Sequence, residues 1–162
     1  MDRGFGSPLA PLALDERGNS IVEFGLAAPV IILLVIGAYD HGSAYLDSLR
    51  MTGAARAGAQ EALYEPNDWQ NDARLERAAL EDYAGHALTD AEMAASDVNA
   101  VASTFCACAD GTTVACTTLC AGDAPLRFVR MSLSRTHAVS LPYPWAPGGT
   151  FDLQQDAVVR VR

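Results

Sequence analysis

The sequence predicts an α+β protein: a long N-terminal membrane-spanning helix, further helices, and a small antiparallel β-sheet domain stapled by disulfides. Three observations carry this. Ile21 to Tyr39 is apolar apart from Glu23 and is long enough to cross a bilayer. At Val98 the apolar period changes from helical spacing to alternation. Cys106, Cys108, Cys116 and Cys120 cluster late in the chain, as in a small exported domain.

The first helix runs from about Ser20 to about Leu63, roughly 65 Å at the α-helical rise. Pro29 interrupts it, and its ring presses on the carbonyl of Gly25, four residues before, where the missing side chain eases crowding. Ala38 and Gly42, and again Ala54 and Gly58, have the small-x3-small spacing that lets helices approach closely. The plainer reading of either pair is an alanine-rich helix with no specific partner. Pro66 marks the stop, and Asn67-Asp68 offers a cap for a second helix with Leu75, Ala79, Tyr83 and Ala87 on one face. Thr89-Asp90-Ala91-Glu92 reads as a capping box for a short third helix. The charged faces of these helices read as solvation rather than as a binding site.

From Val98 to Cys108 the chain alternates as a strand, and Asp110-Gly111 turns it back. A three-residue loop of Asp110, Gly111 and Thr112 puts Cys106 opposite Cys116 and favours Cys106–Cys116 with Cys108–Cys120. A two-residue loop separates the first pair onto opposite faces. Four cysteines allow three pairings, and sequence does not select among them. Metal binding is the weaker alternative, because C-x-C-x7-C-x3-C lacks paired C-x2-C knuckles and no histidine lies close. Leu126 to Arg135 reads as a third strand with Val129, Met131 and Leu133 on one face. His137 to Leu141 reads as a short return, Pro142 to Gly149 as an aromatic loop, and Phe151 to Val161 as the closing strand. The segments are thus 1–18, the helix 19–64, a helical stretch 65–97 and the β domain 98–162.

The chain has 162 residues and a formal net charge of −9, which argues against nucleic acid as a partner. All its basic residues are arginine. Acid dominates from Asp40 to Asp110, whereas Arg127, Arg130, Arg135, Arg160 and Arg162 come late. No P-loop, H-E-x-x-H, G-x-S-x-G or dinucleotide fingerprint occurs, so neither an enzyme nor a cofactor is expected. His41, His86 and His137 are scattered, and Asp40-His41 reads as a polar pair where the helix leaves the lipid. Cys106-Ala107-Cys108 is not a thioredoxin-like C-x-x-C.

Glu23 is the residue where specific chemistry is expected. A carboxylate within an apolar span costs about 2.5–3.5 kcal/mol, so it normally has a partner and a task. Alone, it reads equally well as a polar residue at the membrane edge. Its context is Gly18, Asn19, Ser20, Ile21, Val22, Glu23, Phe24 and then the apolar run. A glycine, four residues and a glutamate heading a hydrophobic helix resembles the processing site of type IV prepilins and pseudopilins. The stretch Arg17 to Val30, with arginine-glycine, glutamate-phenylalanine and Ala28-Pro29 leading into aliphatics, resembles TadE-like and TadG-like pseudopilins of the bacterial tight-adherence (Flp-type) pilus system.

That resemblance implies a leader, 1–18, cut after Gly18 by a prepilin peptidase to leave Asn19 as the new N-terminus. It implies that Glu23 pairs with the freed α-amine during assembly, with Phe24 beside it. The protein is then a minor pseudopilin in the inner membrane, single-pass, with a periplasmic C-terminal domain. Its implied partners are the peptidase, other pseudopilins, the major pilin, the membrane platform and the bilayer. Charge does not set the orientation, because Arg3 and Arg17 precede the helix and Arg50 and Arg56 follow it. The rivals are an uncleaved single-pass envelope protein whose exported domain binds a ligand through Tyr143 to Trp145, and, more weakly, a metal or redox enzyme using the cysteines.

Overall fold

A computed structural model of the chain describes residues 17–65, 67–140 and 149–161. Its elements are α1 (Arg17–Tyr64), α2 (Asp72–Ala84), α3 (Asp90–Ala94), β1 (Val98–Ala107), β2 (Thr113–Val114), β3 (Leu126–Ala138) and β4 (Thr150–Val161). The fold class is the expected α+β. Two compact units divide the chain between Gly37 and Ala38, within α1.

In the first unit α1 is a bare helix through Pro29. Ile21, Val22, Phe24, Leu26 and Val30 to Val35 are exposed, with Leu26 75% exposed. Apolar residues open on all sides suit lipid rather than water. The helix is long and apolar enough to cross a membrane by length and composition.

In the second unit the rest of α1 joins a four-stranded antiparallel sheet, ordered β2-β1-β3-β4. Alternation gives the sheet two different faces. The inner one carries Val98, Ala102 and Cys106 from β1, Val129, Met131 and Leu133 from β3, and Leu153, Ala157 and Val159 from β4. These pack with Met51, Ala54, Ala55, Ala59 and Ala62 of α1 and Leu75 and Ala79 of α2. Each large side chain so buried contributes about 1.5–3 kcal/mol. The alanines contribute little area each, but they let α1 lie close. Closest of all is Gly58, where a Cβ would stand 2.7 Å from the Ala79 Cβ, 2.9 Å from the Leu75 carbonyl and 3.0 Å from the Met131 Cε. The Ala54/Gly58 pair is therefore used inside this unit. Ala38 and Gly42 stay exposed, with nothing within 4 Å of a Cβ on Gly42.

Four details depart from the sequence reading. The cap of α2 is Asn71, whose side chain accepts from the Arg74 N–H, rather than Asn67-Asp68. That helix stops at Gly85 in the left-handed conformation, which leaves Ala87 outside it and exposed. Strand β3 continues to Ala138, so no return begins at His137, because β4 pairs with it from Arg127 as far as Ala138. The β1–β2 loop is Ala109-Asp110-Gly111, one residue earlier than expected, because Cys108 N–H donates to Thr112 O and the Asp110 carboxylate accepts from Thr112 N–H. The Thr89–Glu92 capping box of α3 forms as read. Pro66 and the Tyr143–Trp145 loop lie outside the described residues.

Candidate functional site

The site expected from sequence lies at the head of α1. Arg17, Gly18 and Asn19 have helical backbone, so the bond after Gly18 lies in the described part of α1. Glu23 lies one turn beyond Asn19, on the same side of the helix. Its neighbour Phe24 is exposed. Residues 1–16 of the expected leader lie outside the described residues.

A second cluster, in the other unit, was not legible as a site in the sequence. Asp40 is buried and accepts from Ser140 through both its backbone N–H (3.1 and 3.2 Å) and its hydroxyl (2.8 Å). One turn on, Ser43 Oγ lies 3.2 Å from His137 Nε2, and His137 Nδ1 lies 2.9 Å from Asp47 Oδ2. The same carboxylate oxygen accepts from Arg135 Nη1 at 2.9 Å. Arg135 also reaches the Tyr83 hydroxyl at 2.6 Å and Asp97 at 2.7 Å. Burial raises the Tyr83 pKa; the Arg135 charge opposes this without cancelling it. Further along, Thr52 Oγ1 donates to Gln155 Oε1 and Gln155 Nε2 donates to Ser48 Oγ. Asp40, Ser43, Asp47, Ser48 and Thr52 therefore form a polar seam on α1, and each meets a polar residue from the sheet or the chain just beyond it.

Ser43, His137 and Asp47 stand in the hydroxyl–imidazole–carboxylate order that hydrolases use. The arrangement serves packing instead. Ser43 lies mid-helix and its hydroxyl donates back to the Asp40 carbonyl at 2.9 Å, so its proton is committed to the helix. Asp47 is shared with Arg135. The seam favours one register of α1 against β3 and β4, since sliding the helix would break several of these polar contacts at once. The histidines looked scattered because this meeting spans 94 residues of sequence.

All four cysteines are joined, Cys106 to Cys116 and Cys108 to Cys120, with Cα separations of 5.1 and 5.5 Å. This is the favoured pairing, reached by a different register. Cys106 lies directly opposite Val114, and Cys116, two residues further, points to the same face just past the two-residue β2. With both bridges formed, none of the four cysteines is a free thiol.

Residues 18–60 match the family described as TadE-like protein. No curated protein and no solved structure matches the chain. The match begins at Gly18 and takes in Glu23, Pro29 and most of α1, so this stretch of the chain is similar to the TadE-like family, which points to tight-adherence pilus systems.

Proposed function

We propose that the protein is a minor pseudopilin of a tight-adherence pilus: a single-pass inner-membrane subunit, cut after Gly18 by a prepilin peptidase, with its sheet domain in the periplasm. The observation that carries this is the composition of the matched segment. It opens at Gly18, and its first stretch, as far as Tyr39, keeps one carboxylate, Glu23, in an otherwise apolar and largely exposed helix.

Cleavage creates an α-amine at Asn19 with a reference pKa near 8, one helical turn from Glu23. The two charges offset each other's cost in lipid, within one chain or between neighbours. Beyond the lipid-length stretch, Tyr39, Leu46 and Leu49 remain exposed near the open Gly42, which leaves an apolar side of α1 for another pilin-type helix. The disulfides support an exported sheet domain. The role is structural, and the chain is the substrate of the peptidase rather than a catalyst. Major pilin, other pseudopilins and the membrane platform are the partners in this reading.

The test is genetic. Deleting the chain in its native host removes surface pili; the wild-type chain restores them, and Glu23→Ala does not, although it accumulates in the membrane at normal level. Normal piliation without the chain would overturn the assignment.

A further inference from the structure

The outer face of the sheet has no covering layer among the described residues. Two of its rows are Ser103–Arg130–Val158 and Phe105–Phe128–Arg160, with Val101 beside them. Phe105 and Phe128 stack at 5.2 Å, and the Arg130 guanidinium lies 5.4 Å from the Phe105 ring centre. Val101 and Val158 are each about half exposed (47% and 49%). Neither Arg130 nor Arg160 forms an ion pair among the described residues. A stacked aromatic pair flanked by open valines and two unpaired guanidinium groups has the composition of an interface core rather than of a solvated strand face.

The same unit carries the complementary surface elsewhere. Where α1 ends and α2 begins, Glu61, Glu65 and Asp68 surround one guanidinium, Arg74, which reaches Glu65 at 2.6 Å and Glu61 and Asp68 at 3.9 and 4.0 Å. Three carboxylates against one cation leave a net acidic corner. Glu65 and Asp68 are more than half exposed. Nearby, Arg127 lies over Trp69 at 5.8 Å, and Arg127 is one residue from Phe128 on β3, so corner and patch lie at the same end of the sheet.

The geometry points to a contact between copies: the outer sheet patch of Phe105, Phe128, Arg130, Val158 and Arg160 docks the acidic α1–α2 corner of a second copy of this chain. Two different patches on one subunit make a head-to-tail contact, which repeats with every subunit the same way up when its rotation axis runs along the membrane normal. Subunits anchored in one bilayer by α1 need that property. A two-fold pairing of the open β4 edges would instead run neighbouring α1 helices in opposite directions. The proposal rests on the assembly reading for this shared orientation alone.

The test uses the full-length protein in native membranes, with a photo-crosslinking amino acid at Val158 and a mixture of isotopically light and heavy copies. The expected result is a light–heavy crosslink into the peptide holding residues 61–72. Arg130→Glu with Arg160→Glu abolishes it, and Glu65→Arg with Asp68→Arg on the co-expressed copy restores it. Crosslinks confined to one copy, to another segment or to another protein overturn the contact, as does an unchanged yield in the charge-reversed pair. A missing crosslink in a chain that begins at Asn19 rejects this contact and leaves the pseudopilin reading standing. A crosslinked chain that still begins at Met1 does the reverse.

Discussion

At the residue scale, Asp47 decides how α1 is held. Its carboxylate is 14% exposed and serves both Arg135 and His137, whereas Asp97, the other carboxylate on Arg135, is 65% exposed. Asp47→Asn is expected to destabilise the full chain in detergent by about 1–3 kcal/mol, because two half-buried cationic or polar groups lose a charged acceptor. Asp97→Asn is expected to cost less than about 1 kcal/mol, as an exposed pair does. Equal losses in thermal unfolding would contradict this reading of the seam. Glu92 gives a pH prediction. Its carboxylate accepts first from the Thr89 backbone N–H and then from the Thr89 hydroxyl, which hold its pKa below the ordinary 4.5. A depressed carboxyl stabilises above its unfolded value, and that contribution fades as the pH falls through the lower folded value. The α3 cap should therefore persist at pH 4.5 and open below it. An NMR titration that follows the Glu92 carboxyl and the Thr89 amide together checks this; an ordinary Glu92 midpoint with a static Thr89 amide would argue against the cap.

At the element scale, the disulfides close the weakest part of the sheet. β2 has two residues and pairs with β1 at Cys106 and Ala107 alone. The hairpin depends on covalent closure for the rest of its order. Replacing Cys106 and Cys116 by serine is expected to lower stability by about 2–4 kcal/mol. Amide exchange should show the loss concentrated at 106–120, with the β3–β4 ladder still protected; uniform loss would mean that the bridges hold the whole sheet. Local chemistry made α1, the α3 capping box, β1 and β4 readable in the sequence: apolar length, a Thr-x-x-Glu signature and alternation. Where two local signals competed, the fold decided. Asn71 won over Asn67 because α2 begins where Leu75 and Ala79 meet Gly58. β3 ran past Arg135 because a long partner was available in β4, which no window around His137 contains. The seam stayed invisible because its residues are polar, separated in sequence and ordinary one by one. The free β1 edge is managed in the same non-local way, with Glu76 of α2 accepting from the Ala102 N–H at 3.0 Å.

At the scale of the whole molecule, the chain combines an apolar helix with exposed side chains, a sheet domain closed by two disulfides, and a TadE-like match that spans most of α1. The same helix carries exposed apolar residues in one unit and a sheet-facing seam in the other, so one element is long and apolar enough to cross a membrane and also organises the sheet domain. The central claim is that Gly18 is a cleavage point and Asn19 a mature N-terminus. The most direct test is intact mass and N-terminal peptide mapping of the protein from bacterial membranes in which the prepilin peptidase is active. The account predicts a chain that begins at Asn19, and a retained leader when Gly18 is replaced. A chain that still begins at Met1 under those conditions would contradict it and leave a membrane-anchored envelope protein in its place.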